Sequence, residues 1–166
     1  YEICACLVGS EMCIRDSVRK LRAAFPEQFI GGIQDSPFAQ TQCPDLILSE
    51  HSTWKRIYLH RMKHSEICIA STGLHQSSGW KIAEYLAAGR AIVSEPLCYE
   101  VPGPFQAGEN YLTYTSADGC IEQIRTLLAH PEQILQMGQR NRAYYDEWLR
   151  PDQIVAKALE QAKISL

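Results

Sequence analysis

The sequence predicts an α/β domain with a mostly parallel sheet and helices at its carboxyl end. Three observations predict it. Residues 66–94 read strand, loop, helix, strand, at lengths suited to a βαβ unit, which implies parallel strands. Residues 117–164 carry only helical signals. The chain has 166 residues, 46% of them hydrophobic, enough for one domain of ordinary size with a buried core.

The elements follow in order. Val18 to Phe25 reads as the tail of a helix stopped by Pro26, and Phe29-Ile30-Gly31-Gly32-Ile33 as a short strand. Residues 34–50, with Pro37 and Pro44, read mostly as loop. Ser52 or Thr53 is placed to cap a helix running to about Lys63, with Trp54, Ile57, Tyr58 and Met62 at helical spacing. Glu66 to Ala70 is an apolar run suited to a buried strand. Ser71 to Ser78 is a small-polar loop, and Gly79 to Ala88 a helix expected to bury Ile82, Ala83, Leu86 and Ala87. Gly89 suits its left-handed stop. Ala91-Ile92-Val93-Ser94 is a second buried strand. A long loop follows with Pro96, Pro102, Gly103 and Pro104, then a short outer strand within Asn110–Tyr114. Helices are expected at about Ala117–Ala129, Pro131–Trp148 and Asp152–Ile164.

Composition excludes some classes of function. The net charge is -3, with both signs mixed, and no basic face is evident, which argues against nucleic-acid binding. No run of about 18 apolar residues occurs, so no membrane-spanning segment is expected; peripheral membrane contact of a longer parent stays compatible. The cysteines are Cys4, Cys6, Cys13, Cys43, Cys68, Cys98 and Cys120. Their spacing does not read as a zinc site, and the scatter suits reduced thiols and a cytoplasmic location. Cys68, inside an apolar run, reads as a core residue.

The chain begins with Tyr1. Cys6 to Ser17, Cys-Leu-Val-Gly-Ser-Glu-Met-Cys-Ile-Arg-Asp-Ser, resembles translated sequencing-adapter DNA of the kind found at the ends of metagenomic reading frames. The other reading is an ordinary strand and turn, Ile3 to Val8 then Gly9-Ser10. Residues 1–17 are therefore expected to be a non-native segment that contributes little to the fold, and residues 18–166 a single domain. Without 1–17 the net charge is -1.

The chemistry centres on the loop 71–78 and the helix after it. In open parallel sheets, ligands sit beyond the carboxyl ends of the strands. A helix start offers free N–H groups and partial positive charge, which suits a phosphate. Ser77, Ser78 and Gly79 are small enough for a diphosphate to approach. Lys81, in the first turn, opposes the helix dipole unless an anion is near. Glu84 shares a helical face with Lys81 and suits the hydroxyls of a ribose; a plain Lys81–Glu84 surface pair is the alternative.

Ser78-Gly79-Trp80-Lys81-Ile82-Ala83-Glu84-Tyr85-Leu86-Ala87-Ala88-Gly89-Arg90-Ala91-Ile92-Val93-Ser94 resembles the donor-site signature of GT-B retaining glycosyltransferases, approximately s-x-x-K-x-x-E-Y-x-A-x-G-x-P-V-V. Val101 to Phe105, Asn110 to Tyr114, His130-Pro131-Glu132 and Met137-Gly138 resemble later parts of the same pattern, so the resemblance covers about Ile57 to Ile164. It implies a Rossmann-like three-layer domain, one half of a GT-B fold, in a hexosyltransferase-like enzyme. It implies a nucleotide-sugar donor, with Glu84 on the ribose and Ser77, Ser78, Gly79 and Trp80 against the diphosphate. Lys81 would meet charge developing on the leaving diphosphate. Gln76 stands where many members carry the first glutamate of an E-x7-E pair, so it keeps hydrogen bonding to the sugar but no charge. His75, in the same loop, is a candidate sugar contact. Members need no metal or cofactor as a rule. Their acceptor site lies largely in a separate N-terminal domain; that domain is expected to be missing here, leaving this fragment unable to transfer a sugar.

Two other readings fit less well. A non-catalytic α/β nucleotide-binding or regulatory module of receiver type would want an acidic cluster at strand ends with a following lysine. A sugar epimerase would want G-x-G-x-x-G or a Tyr-x-x-x-Lys pair. None of these is present.

Overall fold

A computed structural model describes residues 1–7, 12–72 and 74–164. Five parallel strands lie in the order β2-β1-β3-β4-β5: β1 is Ile3–Leu7, β2 Phe29–Ile33, β3 Ile67–Ala70, β4 Ala91–Ser94 and β5 Leu112–Thr113. The helices are α1 (Met12–Ala24), α2 (Pro37–Gln42), α3 (Glu50–Thr53), α4 (Lys55–His64), α5 (Gly79–Ala87), α6 (Ala117–Ala129), α7 (Pro131–Tyr144) and α8 (Pro151–Ile164).

The alternation of strand side chains makes the three layers. Ile67 and Ile69 face one side with Ala91 and Val93, packed against Val18 and Leu21 of α1 and Ile124 and Leu127 of α6. Cys68 and Ala70 face the other with Ile92, packed against Tyr58 and Met62 of α4 and Ile82, Tyr85 and Leu86 of α5. β3 and β4 are buried on both faces, which is why both read as unbroken apolar runs.

Residues 1–17 do not behave as expected of a dispensable segment. β1 pairs with β2 along its whole length and with β3 through Ile3 and Cys4, both buried, so it occupies the middle of the sheet. Ser17 and Val18 are buried as well. Arg19 holds Asp45 in a two-pronged ion pair at 2.8–2.9 Å, and Lys20 reaches Asp118 of α6 at 2.8 Å. Local hydrophobic content is enough to seat Ile3–Leu7 between β2 and β3, whatever its resemblance. The side chain of Leu7 and residue Val8 lie outside the described residues.

Four expectations about elements need correction. Residues 34–50 are not mostly loop: Ser36 caps α2 through its side chain, a 3-10 turn spans Pro44–Leu46, and Ile47 bridges to Ile33. The helix after residue 50 breaks at Trp54, so neither Ser52 nor Thr53 caps α4; Thr53 Oγ1 donates to Glu50 O at 2.7 Å instead. α5 buries Ile82, Tyr85 and Leu86, while Ala83 is exposed and Ala87 half-buried, because the i, i+3, i+4 stripe centres on Tyr85. α7 ends at Tyr144 and a π turn carries Tyr145–Leu149, since Arg150 precedes a proline and is held extended. The remaining boundaries agree within a residue or two, and Gly89 adopts φ 63 as the left-handed stop of α5.

Among the described residues, no helix is long and apolar enough to cross a membrane.

Candidate functional site

The loop between β3 and α5 leaves the carboxyl end of the sheet and turns back sharply. Three of its described residues take left-handed backbone: His75 (φ 56), Gln76 (φ 59) and Gly79 (φ 63). Only Gly79 does so without a Cβ penalty; each of the other two costs on the order of 1–2 kcal/mol. Such strain persists only where neighbours hold it. At one end Glu95, just past β4, accepts from Thr72 N–H and from Thr72 Oγ1–H, both at 2.8 Å. At the other, Tyr99 O–H donates to His75 O at 3.2 Å.

The predicted site residues come together along this loop and the first two turns of α5. His75, Gln76, Ser77 and Gly79 are exposed, Ser78 half-buried, and Trp80 is 89% exposed. Ser78 stands at the helix start without a side-chain capping bond, so it leaves the first backbone N–H groups of α5 to other acceptors. Lys81 and Glu84 are half-buried on the following turns.

Glu84 is paired with Lys55. Its Oε1 takes a short contact from Lys55 Nζ, reaching across from the first residue of α4. The Glu84 side chain is 25% exposed and that of Lys55 65%. The Lys55 ammonium also lies 5.3 Å from the centre of the Tyr58 ring. Burial first, and the adjacent Glu84 carboxylate second, push the Tyr58 hydroxyl well above its ordinary pKa. That hydroxyl is buried, with the Glu84 carboxylate and the Tyr85 hydroxyl beside it.

Sequence reasoning missed Lys55, Glu95 and Tyr99. Lys55 lies 29 positions from Glu84, and nothing in its own spacing signals a partner. Glu95 carried a usable signal, a carboxylate directly after a buried strand, at the sheet end where ligands sit. Cys68 is a core residue as expected: it is wholly buried, and burial raises its thiol pKa well above the ordinary value.

Two depressions lie nearby or opposite. Behind the start of α5, an apolar cavity of about 130 Å³ is lined by Gly79, Ile82, Leu86, Leu97, Phe105 and Tyr144. A wider groove of about 670 Å³ runs along α7 by Arg90, at the amino end of β4, away from every predicted site residue.

Residues 38–164 match the model of a family described as glycosyl transferase-like. No curated protein sequence matches the chain. Among solved structures, the C-terminal domain of the glycosyl transferase group 1 family protein LpcC from Francisella tularensis superposes with a TM-score of 0.63 at 10% identity, over 90% of this chain and 87% of that one. The GtfA/B complex gives 0.60 at 14% identity, over 97% of this chain and 35% of that one. The pneumococcal O-GlcNAc transferase GtfA, in complex with UDP and GlcNAc, gives 0.58 at 18% identity, over 98% and 35%. These likenesses establish a shared fold, and the chain spans about a third of the two longer proteins.

Proposed function

Because the chain belongs to the glycosyl transferase-like family, we propose that the carboxyl end of its sheet binds a nucleotide-sugar donor. The observation that carries this reading is the placement of Glu84. It lies five residues past Gly79, half-buried, on the helix whose start is left without a side-chain cap. Five residues make about 7.5 Å of helix, comparable with the reach from a ribose to its β-phosphate. Glu84 then accepts from ribose hydroxyls, while the backbone of Ser77, Ser78, Gly79 and Trp80 meets the diphosphate. His75 and Gln76, at the exposed turn, face the sugar.

In transfer, an acceptor nucleophile forms a new bond to the anomeric carbon and gives up its proton, the bond from that carbon to the β-phosphate oxygen breaks, and charge grows on the departing nucleoside diphosphate. Lys81 and the N–H groups at the start of α5 oppose that charge. Gln76 hydrogen-bonds sugar hydroxyls without contributing a carboxylate. No metal takes part in this scheme, and a hexose is the sugar class it suits. The acceptor belongs to a second domain, for which the 35% coverage of the two longer structures leaves room.

Calorimetric titration of the chain with uridine, guanosine, adenosine and thymidine diphosphates tests the reading. One of them should bind at a single site, equally with magnesium or with a chelator. Absence of binding by all four would sink the donor-site assignment. Sugar transfer by this chain alone would sink the two-domain part.

A further inference from the structure

We propose that Trp54 and His51 form the platform on which the base of the nucleotide stacks, so that the entrance to α4 sets base preference; this rests on the donor-site reading of Glu84. Trp54 is 55% exposed. A single exposed tryptophan is unremarkable by itself, since apolar residues scattered on a surface are normal. Its position is what points to a ligand. Trp54 immediately precedes Lys55, whose ammonium is bonded to the Glu84 carboxylate. That bond sets the entrance of α4, with Trp54 on it, next to the helix that carries Glu84.

The backbone presents this ring deliberately outward. Trp54 takes φ -57, ψ 133, outside helical geometry, and so breaks the chain between α3 and α4. Had the helix continued, residue 54 would have joined the ladder of α4. In the break, its carbonyl still accepts from Tyr58 N–H at 2.9 Å, so the backbone of residue 54 is tethered to the start of α4. His51 lies against it, ring centres 4.7 Å apart and planes at 56°, a tilted aromatic pair.

The short α3 turn that carries His51 is itself braced. Ser49 and Ser52 hydroxyls share a hydrogen bond at 2.8 Å, and Arg61 of α4 donates to Ser52 Oγ at 3.4 Å. These bonds brace the turn that carries His51, and an ordered turn lowers the ordering cost of binding. Beneath it, the buried Tyr58 hydroxyl lies beside the Glu84 carboxylate and the Tyr85 hydroxyl. Stacking on an aromatic face tolerates any base but favours those with larger rings.

The experiment titrates the full chain and the variants Trp54→Ala, Trp54→Leu and Trp54→Phe with the tightest of the four nucleoside diphosphates, and with ribose 5-phosphate, which has no base. Thermal melts accompany each variant. Trp54→Ala and Trp54→Leu should bind the nucleoside diphosphate about tenfold more weakly, while Trp54→Phe stays within about threefold of the parent. Ribose 5-phosphate should not distinguish the four proteins. Equal affinity of Trp54→Ala and the parent, or full rescue by leucine, overturns the platform. So does an equal loss for ribose 5-phosphate, which would mean that the substitution acts through Lys55. Glu84→Gln separates the two levels. If it weakens binding and Trp54→Ala does not, the donor site stands and the platform falls. If the parent binds none of the diphosphates, both fall together.

Discussion

Glu84, the proposed ribose partner, makes a contact with Lys55 that spans two helices. An exposed ion pair of this kind contributes about 1 kcal/mol or less to stability, so Lys55 and Glu84 are not there chiefly to hold α4 against α5. A charge-assisted hydrogen bond to a ribose hydroxyl is worth roughly 1.5–3 kcal/mol. Glu84→Gln should therefore weaken nucleoside diphosphate binding by about tenfold or more and leave the melting temperature nearly unchanged. Calorimetry beside a thermal melt checks this; unchanged affinity with an unchanged melt would make the carboxylate a surface partner of Lys55 only. Lys81→Ala should also weaken binding, and its deficit should shrink as salt rises, because a point charge on phosphate is screened over about 10 Å at 0.1 M. A deficit constant from 0.05 to 0.5 M salt, on the order of the screening range, would place Lys81 away from the diphosphate.

At the scale of elements, the site depends on how closely α5 meets α7. A Cβ built on Gly138 would stand 2.5 Å from Gly89 O, the carbonyl of the left-handed stop of α5. Neither atom is the end of a flexible side chain, so one backbone must yield. Gly138→Ala should cost about 1–3 kcal/mol, the usual range for overpacking, read as a lower urea midpoint with an unchanged slope. A midpoint equal to the parent's would show that the two helices slide apart freely. The same junction is sealed by Asn141, whose Nδ2 donates to Arg90 O at 2.8 Å and Asn110 O at 2.9 Å, while its Oδ1 accepts from Asn110 Nδ2 at 3.1 Å. Met137-Gly138 and Asn110 thus belong together in the fold although they lie far apart in the chain. The sequence shows them only as separate pieces of a pattern, because their spacing encodes no contact.

For the whole molecule, the amino-terminal strand decides whether there is one sheet or two fragments. Among the described residues β2 pairs with no strand but β1, and β1 joins it to β3. A chain lacking residues 1–11 should lose cooperative unfolding and expose apolar surface, since Ile3, Val18, Phe29 and Ile67 share one core. Circular dichroism melts and a dye that binds exposed apolar surface would register both. A truncated chain that melts like the parent would make β1 an accessory and return residues 1–17 to the dispensable role read from their adapter-like sequence. Among the described residues α8 is exposed along most of its length, with Ile154, Val155 and Leu159 about half open to solvent, and it leans mainly on the π turn before it.

What the sequence determined by itself is what short-range physics writes locally. Glu66 to Ser94 declared its strand, loop, helix and strand because burial on both faces makes apolar runs, helical spacing makes stripes, and Gly89 alone relieves the left-handed stop. The same stretch carried the family pattern, and so Glu84, Lys81 and the loop before them. Only the tertiary structure decided the rest: that Ile3–Leu7 sits in the centre of the sheet, that Tyr85 rather than Ala83 faces the core, and that Lys55 closes on Glu84 with Trp54 beside it. Those outcomes depend on which elements lie next to each other, and pairing across 29 to 64 residues is set by packing of the whole sheet, which no local spacing records.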